Sequence, residues 1–147
     1  MMFGLVIALD VDGVLAPWLY PDHGRMLLEL ARDLNAQLVW ATGHGQQANR
    51  WVGPAIGLPD LPVVDMTGVE PNRVVAHWKA GRIATYADER PLAWLDDEFQ
   101  AADYAWAELR SAYGAPTLLV PVDERTGLDS SHLAAIRAWA GSGRTEP

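Results

Sequence analysis

Cysteine is absent from all 147 residues. That excludes disulfides and thiolate metal ligands. Any metal must be held by oxygen or histidine, and oxygen donors favour a hard ion such as Mg²⁺. Positive charge is scarce: 11 Lys and Arg face 19 Asp and Glu, for a net charge of −8. Extended, nonspecific nucleic-acid binding needs clustered cations, so it is disfavoured. A small phosphorylated ligand or a nucleic-acid end is not excluded. Long apolar runs are also missing. The N-terminal run breaks at Asp10, without a basic segment before it or a cleavage site after it, and no run approaches a membrane span of ~20 residues. A soluble, cytoplasmic protein with no membrane partner is expected. Lysine occurs once, at Lys79, in a chain that otherwise uses arginine.

What is present is globular in character. Half of the residues are hydrophobic and a fifth are charged, enough for one domain with a substantial core. That domain is expected over 1–141, with 142–147 as a flexible tail. Strand-like runs cover Leu5 to Leu9, Gln37 to Ala41, Leu61 to Asp65, Pro91 to Leu95 and Pro116 to Val122. Between them, helical spacing aligns Leu27, Leu30, Ala31 and Leu34, then Ala80, Ile83, Ala84 and Ala87. A third face joins Phe99, Ala102, Trp106, Leu109 and Tyr113, and a fourth joins Leu133, Ile136 and Ala140. The last helix should start from Asp129 or Ser130 and stop at Gly141. A weaker helix over Gly45 to Val52 should close at Gly53-Pro54. Strands alternating with helices imply an α/β fold, with a mainly parallel five-stranded sheet covered on both faces.

Ligands of such sheets sit beyond the carboxyl ends of the strands, and there the sequence concentrates its chemistry. Leu5-Val6-Ile7-Ala8-Leu9 runs into Asp10-Val11-Asp12-Gly13. Carboxylates two residues apart on a strand share a face and repel. At ~4 Å and an effective dielectric of ~20 the repulsion is about 4 kcal/mol, so a cation or proton is expected between them. Leu38-Val39-Trp40-Ala41 runs into Thr42-Gly43-His44-Gly45, a hydroxyl and backbone N–H groups suited to phosphate oxygens. Thr-Gly is also a common cap. Lys79 falls near the start of a helix, where a compact ammonium can serve phosphate and carboxylate together. A solitary surface lysine is the competing reading. Pro91-Leu92-Ala93-Trp94-Leu95 ends in Asp96-Asp97-Glu98. Asp96 is the metal-ligand candidate, while Asp97 or Glu98 is expected to cap the next helix.

This order of Asp-x-Asp, Thr, Lys and Asp-Asp resembles the haloacid dehalogenase superfamily of phosphohydrolases over nearly the whole chain. The nearer likeness is to the haloacid-dehalogenase-type domain of the Swiss Army Knife RNA repair proteins. It rests on Val39-Trp40-Ala41-Thr42-Gly43, Ala48-Asn49-Arg50, Gly57-Leu58-Pro59, Leu61-Pro62-Val63-Val64 and Leu92-Ala93-Trp94-Leu95-Asp96-Asp97. His44 departs from it, since an aromatic such as tryptophan is expected there.

The resemblance implies a three-layer Rossmann-like fold and a Mg²⁺-dependent phosphatase. In it Asp10 is the nucleophile that forms an aspartyl-phosphate, and Asp12 is the general acid and base. Asp10, the Asp12 carbonyl, Asp96 and Asp97 would hold the metal. Thr42, Gly43, His44 and Lys79 would bind the phosphorylated substrate, with Thr42 and Lys79 also serving catalysis. Only about thirty residues separate Asp12 from Thr42, so a short flap over Ala16 to Gly24 is expected and no separate cap domain. An open site admits nucleotides, nucleic-acid ends or proteins. Trp18, Tyr20 and His23 either stack on such a substrate or cover the sheet edge. Trp40, Trp94 and Trp106 should be core, and His77 and Trp78 should line the pocket. Arg50 and Arg73 fall between substrate contact and solvated surface, and His132 between surface and cap. A phosphotransferase, or an idle scaffold used as a binding or regulatory module, is the alternative. A receiver domain is disfavoured because Thr42 precedes the 96/97 pair.

Overall fold

The computed structural model describes residues 4–69 and 78–143. Strand β1 (Val6–Leu9) leads through a turn to α1 (Pro21–Leu34) and β2 (Gln37–Trp40). A π-helical turn over Ala48–Val52 continues into α2 (Gly53–Ile56). Then come α3 (Ala80–Ala87), β3 (Leu92–Asp96), α4 (Ala101–Ala112), β4 (Thr117–Pro121) and α5 (Ser130–Gly143). Among the described residues the sheet has four strands, ordered β2-β1-β3-β4, and all its pairs are parallel.

Alternation along the strands divides the core into two layers. Ile7, Leu9, Ala93 and Leu95 pack with Leu27 and Leu30 of α1 and Leu133 and Ile136 of α5. Val6, Ala8, Leu92 and Trp94 pack with Ile83 and Ala87 of α3 and Ala107 of α4. Both faces of the sheet are therefore covered, which is why its strands read as continuous apolar runs. From β1 the chain steps outward to β2, then returns to place β3 on the other side of β1. The loops after β1 and β3 leave in opposite directions, which opens a crevice between the two strand ends.

Several elements differ from the sequence reading. Leu61 to Asp65 forms one parallel bridge, Trp40 to Val63, not a fifth strand. Pro62 lacks an N–H, and Asn49 substitutes for a neighbouring strand: its amide donates to the Leu61 carbonyl and accepts from the Leu61 N–H, both at 2.8 Å. Gly53-Pro54 opens α2 instead of closing a helix, because proline suits the first helical turn. Helix α1 begins at Pro21, so the flap ends there, and α5 runs past Gly141 to Gly143, into the expected tail. Leu109 and Tyr113 are exposed, whereas Asp103 and Ala107 form the buried side of α4. Gln100, not Asp97 or Glu98, caps that helix, and its N–H donates to Asp103 at 2.8 Å. Trp40 and Trp94 are core, and Trp106 meets Trp94 edge-on at 6.0 Å. No helix among the described residues is long and apolar enough to cross a membrane.

Candidate active site

Asp10 follows the last residue of β1, and its N–H donates to the Leu95 carbonyl of β3 at 3.1 Å. Asp96 closes β3 itself, paired to Pro121. The two carboxylates thus stand side by side at the crevice, both buried. Lys79 precedes the first residue of α3 and reaches between them. Its Nζ donates to Asp10 Oδ1 at 2.7 Å and to Asp96 Oδ2 at 3.0 Å. The side chain is only 4% exposed, which removes the reading of a solitary surface lysine. The Glu98 N–H donates to Asp96 Oδ1 at 3.2 Å.

Asp97 completes the cluster from the loop after β3. Its carboxylate lies against the Cα of Gly13, where any Cβ would overlap it. Gly13 also has φ +78°, so both its backbone and its bare α-carbon are required. Among the described residues, Asp10, Asp96 and Asp97 each offer an oxygen within 4.8 Å of the others. Oxygens gathered this closely could hold a small hard cation such as Mg²⁺. The donors are all oxygens, as a hard ion requires.

Charge balance gives the same answer. Among the described residues, the cluster brings three carboxylates to one ammonium. Burial pushes Asp10 up to about 7, with Asp96 adding to the rise and Lys79 opposing it. Burial also raises Asp97, to about 6, helped by the charge of Asp96 and a hydrogen bond with it. Burial pulls Lys79 down, but Asp10 and Asp96 outweigh it and hold the ammonium above its ordinary value. Both carboxyls therefore hold their protons to higher pH than ordinary aspartates.

Asp12 is placed differently from the expectation of two like-facing carboxylates. Asp96, not Asp12, is the carboxylate that acts on Asp10. The chain turns after Leu9, and the Asp12 side chain is 76% exposed, 2.8 Å from His44 Nε2. Thr42 is buried, and its hydroxyl oxygen accepts the His44 N–H at 3.2 Å. One turn therefore fixes both the Thr42 hydroxyl and the imidazole beside Asp12. Asp10, Asp12, Thr42, Gly43, His44, Lys79 and Asp97 line one cleft of about 310 Å³ with Trp78 and Glu98. Asp96 lies beneath its floor.

Of the flap's aromatic rings, only Tyr20 is exposed, at 51%. Trp18 packs on Gly127, and His23 is buried in α1 beside Tyr20 at 5.3 Å between ring centres. Arg50 is exposed and stacks over Trp51. The Asp129 N–H donates to His132 Nδ1 at 3.0 Å, which makes His132 part of the cap of α5. Arg73 and His77 lie outside the described residues. Glu98 in the cleft wall was missed by the sequence reading, which took it as a cap. Its position one residue beyond the strand-end pair was the available signal. No family model, curated protein or solved structure matches this chain.

Proposed function

We propose that this chain is a Mg²⁺-dependent phosphomonoester hydrolase of haloacid-dehalogenase type, without a separate cap domain, that works through an aspartyl-phosphate on Asp10. One observation carries the reading. A buried Asp10–Lys79–Asp96 triad, with Asp97 beside it, gathers three carboxylates and one ammonium of the described residues at a cleft by the carboxyl ends of a parallel sheet. Raised carboxyls clustered around a buried lysine in a cleft are the signature expected of a functional site.

Asp10, Asp96 and Asp97, with the Asp12 carbonyl, would hold Mg²⁺, which when bound supplies Lewis-acid neutralisation of the phosphoryl oxygens. The chain's own groups do the rest. Lys79 fixes the Asp10 carboxylate through Oδ1 and offers positive charge to the incoming phosphate. Attack by Asp10 on phosphorus forms the O–P bond as the ester O–P bond breaks. Asp12, on the open side of the cleft, gives its proton to the departing oxygen. It then takes a proton from the water that cleaves the acyl phosphate, releasing inorganic phosphate and restoring Asp10. His44 holds Asp12 in place for both transfers. Thr42 and the Gly43 turn cradle the non-bridging oxygens.

The test is a phosphate-release screen over nucleotides, sugar phosphates and 3′- or 5′-phosphorylated oligonucleotides, with Mg²⁺ and with EDTA. Turnover that requires Mg²⁺ and disappears in Asp10→Asn is the expected result. Activity that survives EDTA, or an Asp10→Asn variant at full rate, would overturn the mechanism.

A further inference from the structure

A second, larger cavity of about 490 Å³ lies beside the phosphoryl cleft. The two share a wall made by Gly43 and Trp78. Trp78 is anchored there: the Lys79 ammonium lies 5.5 Å from its ring centre, and its Cη2 would stand 3.5 Å from a Cβ at Gly43. The far side is formed by Val63, Asp65, Met66, Thr67 and Val69. That side is stiffened from α3, because Arg82 donates to the Asp65 carbonyl at 3.1 Å and to the Thr67 carbonyl at 2.8 Å.

The lining chemistry is selective. Asp65 is the one charged side chain among the described residues that line the cavity. Hydrogen bonds from Thr67 hold its carboxyl below the usual range, so it is ionised at neutral pH. Arg82 Nη1 stands 3.8 Å from Asp65 Oδ2, so a second phosphate or a carboxylate would have to compete with Asp65 for that cation. Valine, methionine and indole surfaces favour a planar apolar group, through aromatic and thioether contacts. The volume is ample for an aromatic ring.

We infer that this cavity is a leaving-group pocket, which selects phosphomonoesters whose alcohol carries a neutral aromatic ring. The inference rests on the phosphohydrolase reading for its chemistry, but the pocket can be tested by binding alone. Titration calorimetry with Mg²⁺ present would compare benzylphosphonate, ethylphosphonate and 4-carboxybenzylphosphonate. Hydrolysis of the matching phosphates would be measured in parallel.

Benzylphosphonate should bind at least tenfold tighter than ethylphosphonate, and the carboxylated ring should lose most of that gain. Val69→Trp, which fills the cavity, should bring the benzyl-to-ethyl ratio close to one. Asp65→Asn, an exposed and structurally mild change, should restore binding of the carboxylated ring. Equal affinity for benzyl and ethyl compounds, with no response to Asp65→Asn, overturns the pocket even if both phosphates are hydrolysed. A benzyl preference that Val69→Trp removes, without any turnover, keeps the pocket and overturns the phosphohydrolase. Neither binding nor turnover overturns both.

Discussion

Replacing Lys79 with methionine keeps the length of the side chain and removes its charge. The ammonium stands 2.7 Å from Asp10 and 3.0 Å from Asp96. At an effective dielectric of ~20, each contact is worth about 6 kcal/mol of gross attraction. Desolvation of three buried groups cancels much of that, and loss of one partner from a buried pair typically costs about 3–5 kcal/mol. For a domain of this size each kcal/mol moves Tm by about 2–4 °C, so Lys79→Met should melt about 6–20 °C lower at pH 7.5 in EDTA. The deficit should shrink at pH 5, where the stranded carboxyls take up protons, and also in Mg²⁺, which replaces the missing charge. Thermal melts followed by circular dichroism across that grid are sufficient. A Lys79→Met protein within 2 °C of wild type at pH 7.5, or equally weakened at both pH values, would refute a buried charge cluster neutralised by lysine.

Four further expectations follow from the same cleft. Asp10 and Asp97 have folded-state values of about 7 and about 6, above their ordinary 3.8. A raised carboxyl stabilises the fold while protonated, so in EDTA their contribution should fall as pH rises from about 4 to 7; Mg²⁺ should flatten that loss, and an EDTA melting curve free of it would contradict the assignment. Gly13→Ala should displace the Asp97 carboxylate and strain a backbone at φ +78°; the checks are Mg²⁺ affinity by calorimetry, weakened about tenfold or more, and Tm. Asp12→Asn should lower turnover by about 10²–10⁴. His44→Ala should cost less alone and add little to Asp12→Asn in a double-mutant cycle, because its 2.8 Å contact acts through Asp12; additive losses would separate the two.

Much of the framework was legible in the chain. Four of the five expected strands are present, because runs buried on both faces leave an unbroken apolar signature. The fifth was not legible, because its apolar run contains Pro62, pairs with β2 only around Trp40, and has its Leu61 N–H and carbonyl taken by the Asn49 side chain, twelve residues earlier in sequence. On α4, helical periodicity alone assigned Leu109 and Tyr113 inward. The helix instead turns Asp103, bonded to the Gln100 N–H, and Ala107 inward.

The sequence by itself determined which groups stand at strand ends, since an apolar run that stops in a carboxylate fixes position along the chain. It could not determine which of those groups face one another. Local spacing paired Asp10 with Asp12, but the pairing of β1 with β3 sets Asp10 beside Asp96, and the turn after β1 leaves Asp12 facing outward to His44. The single lysine likewise acquired its role only from α3, whose start delivers the ammonium between two carboxylates that are 69 and 17 residues away in the chain. Ionisation depends on burial and on neighbours distant in sequence, and both are properties of the packed sheet.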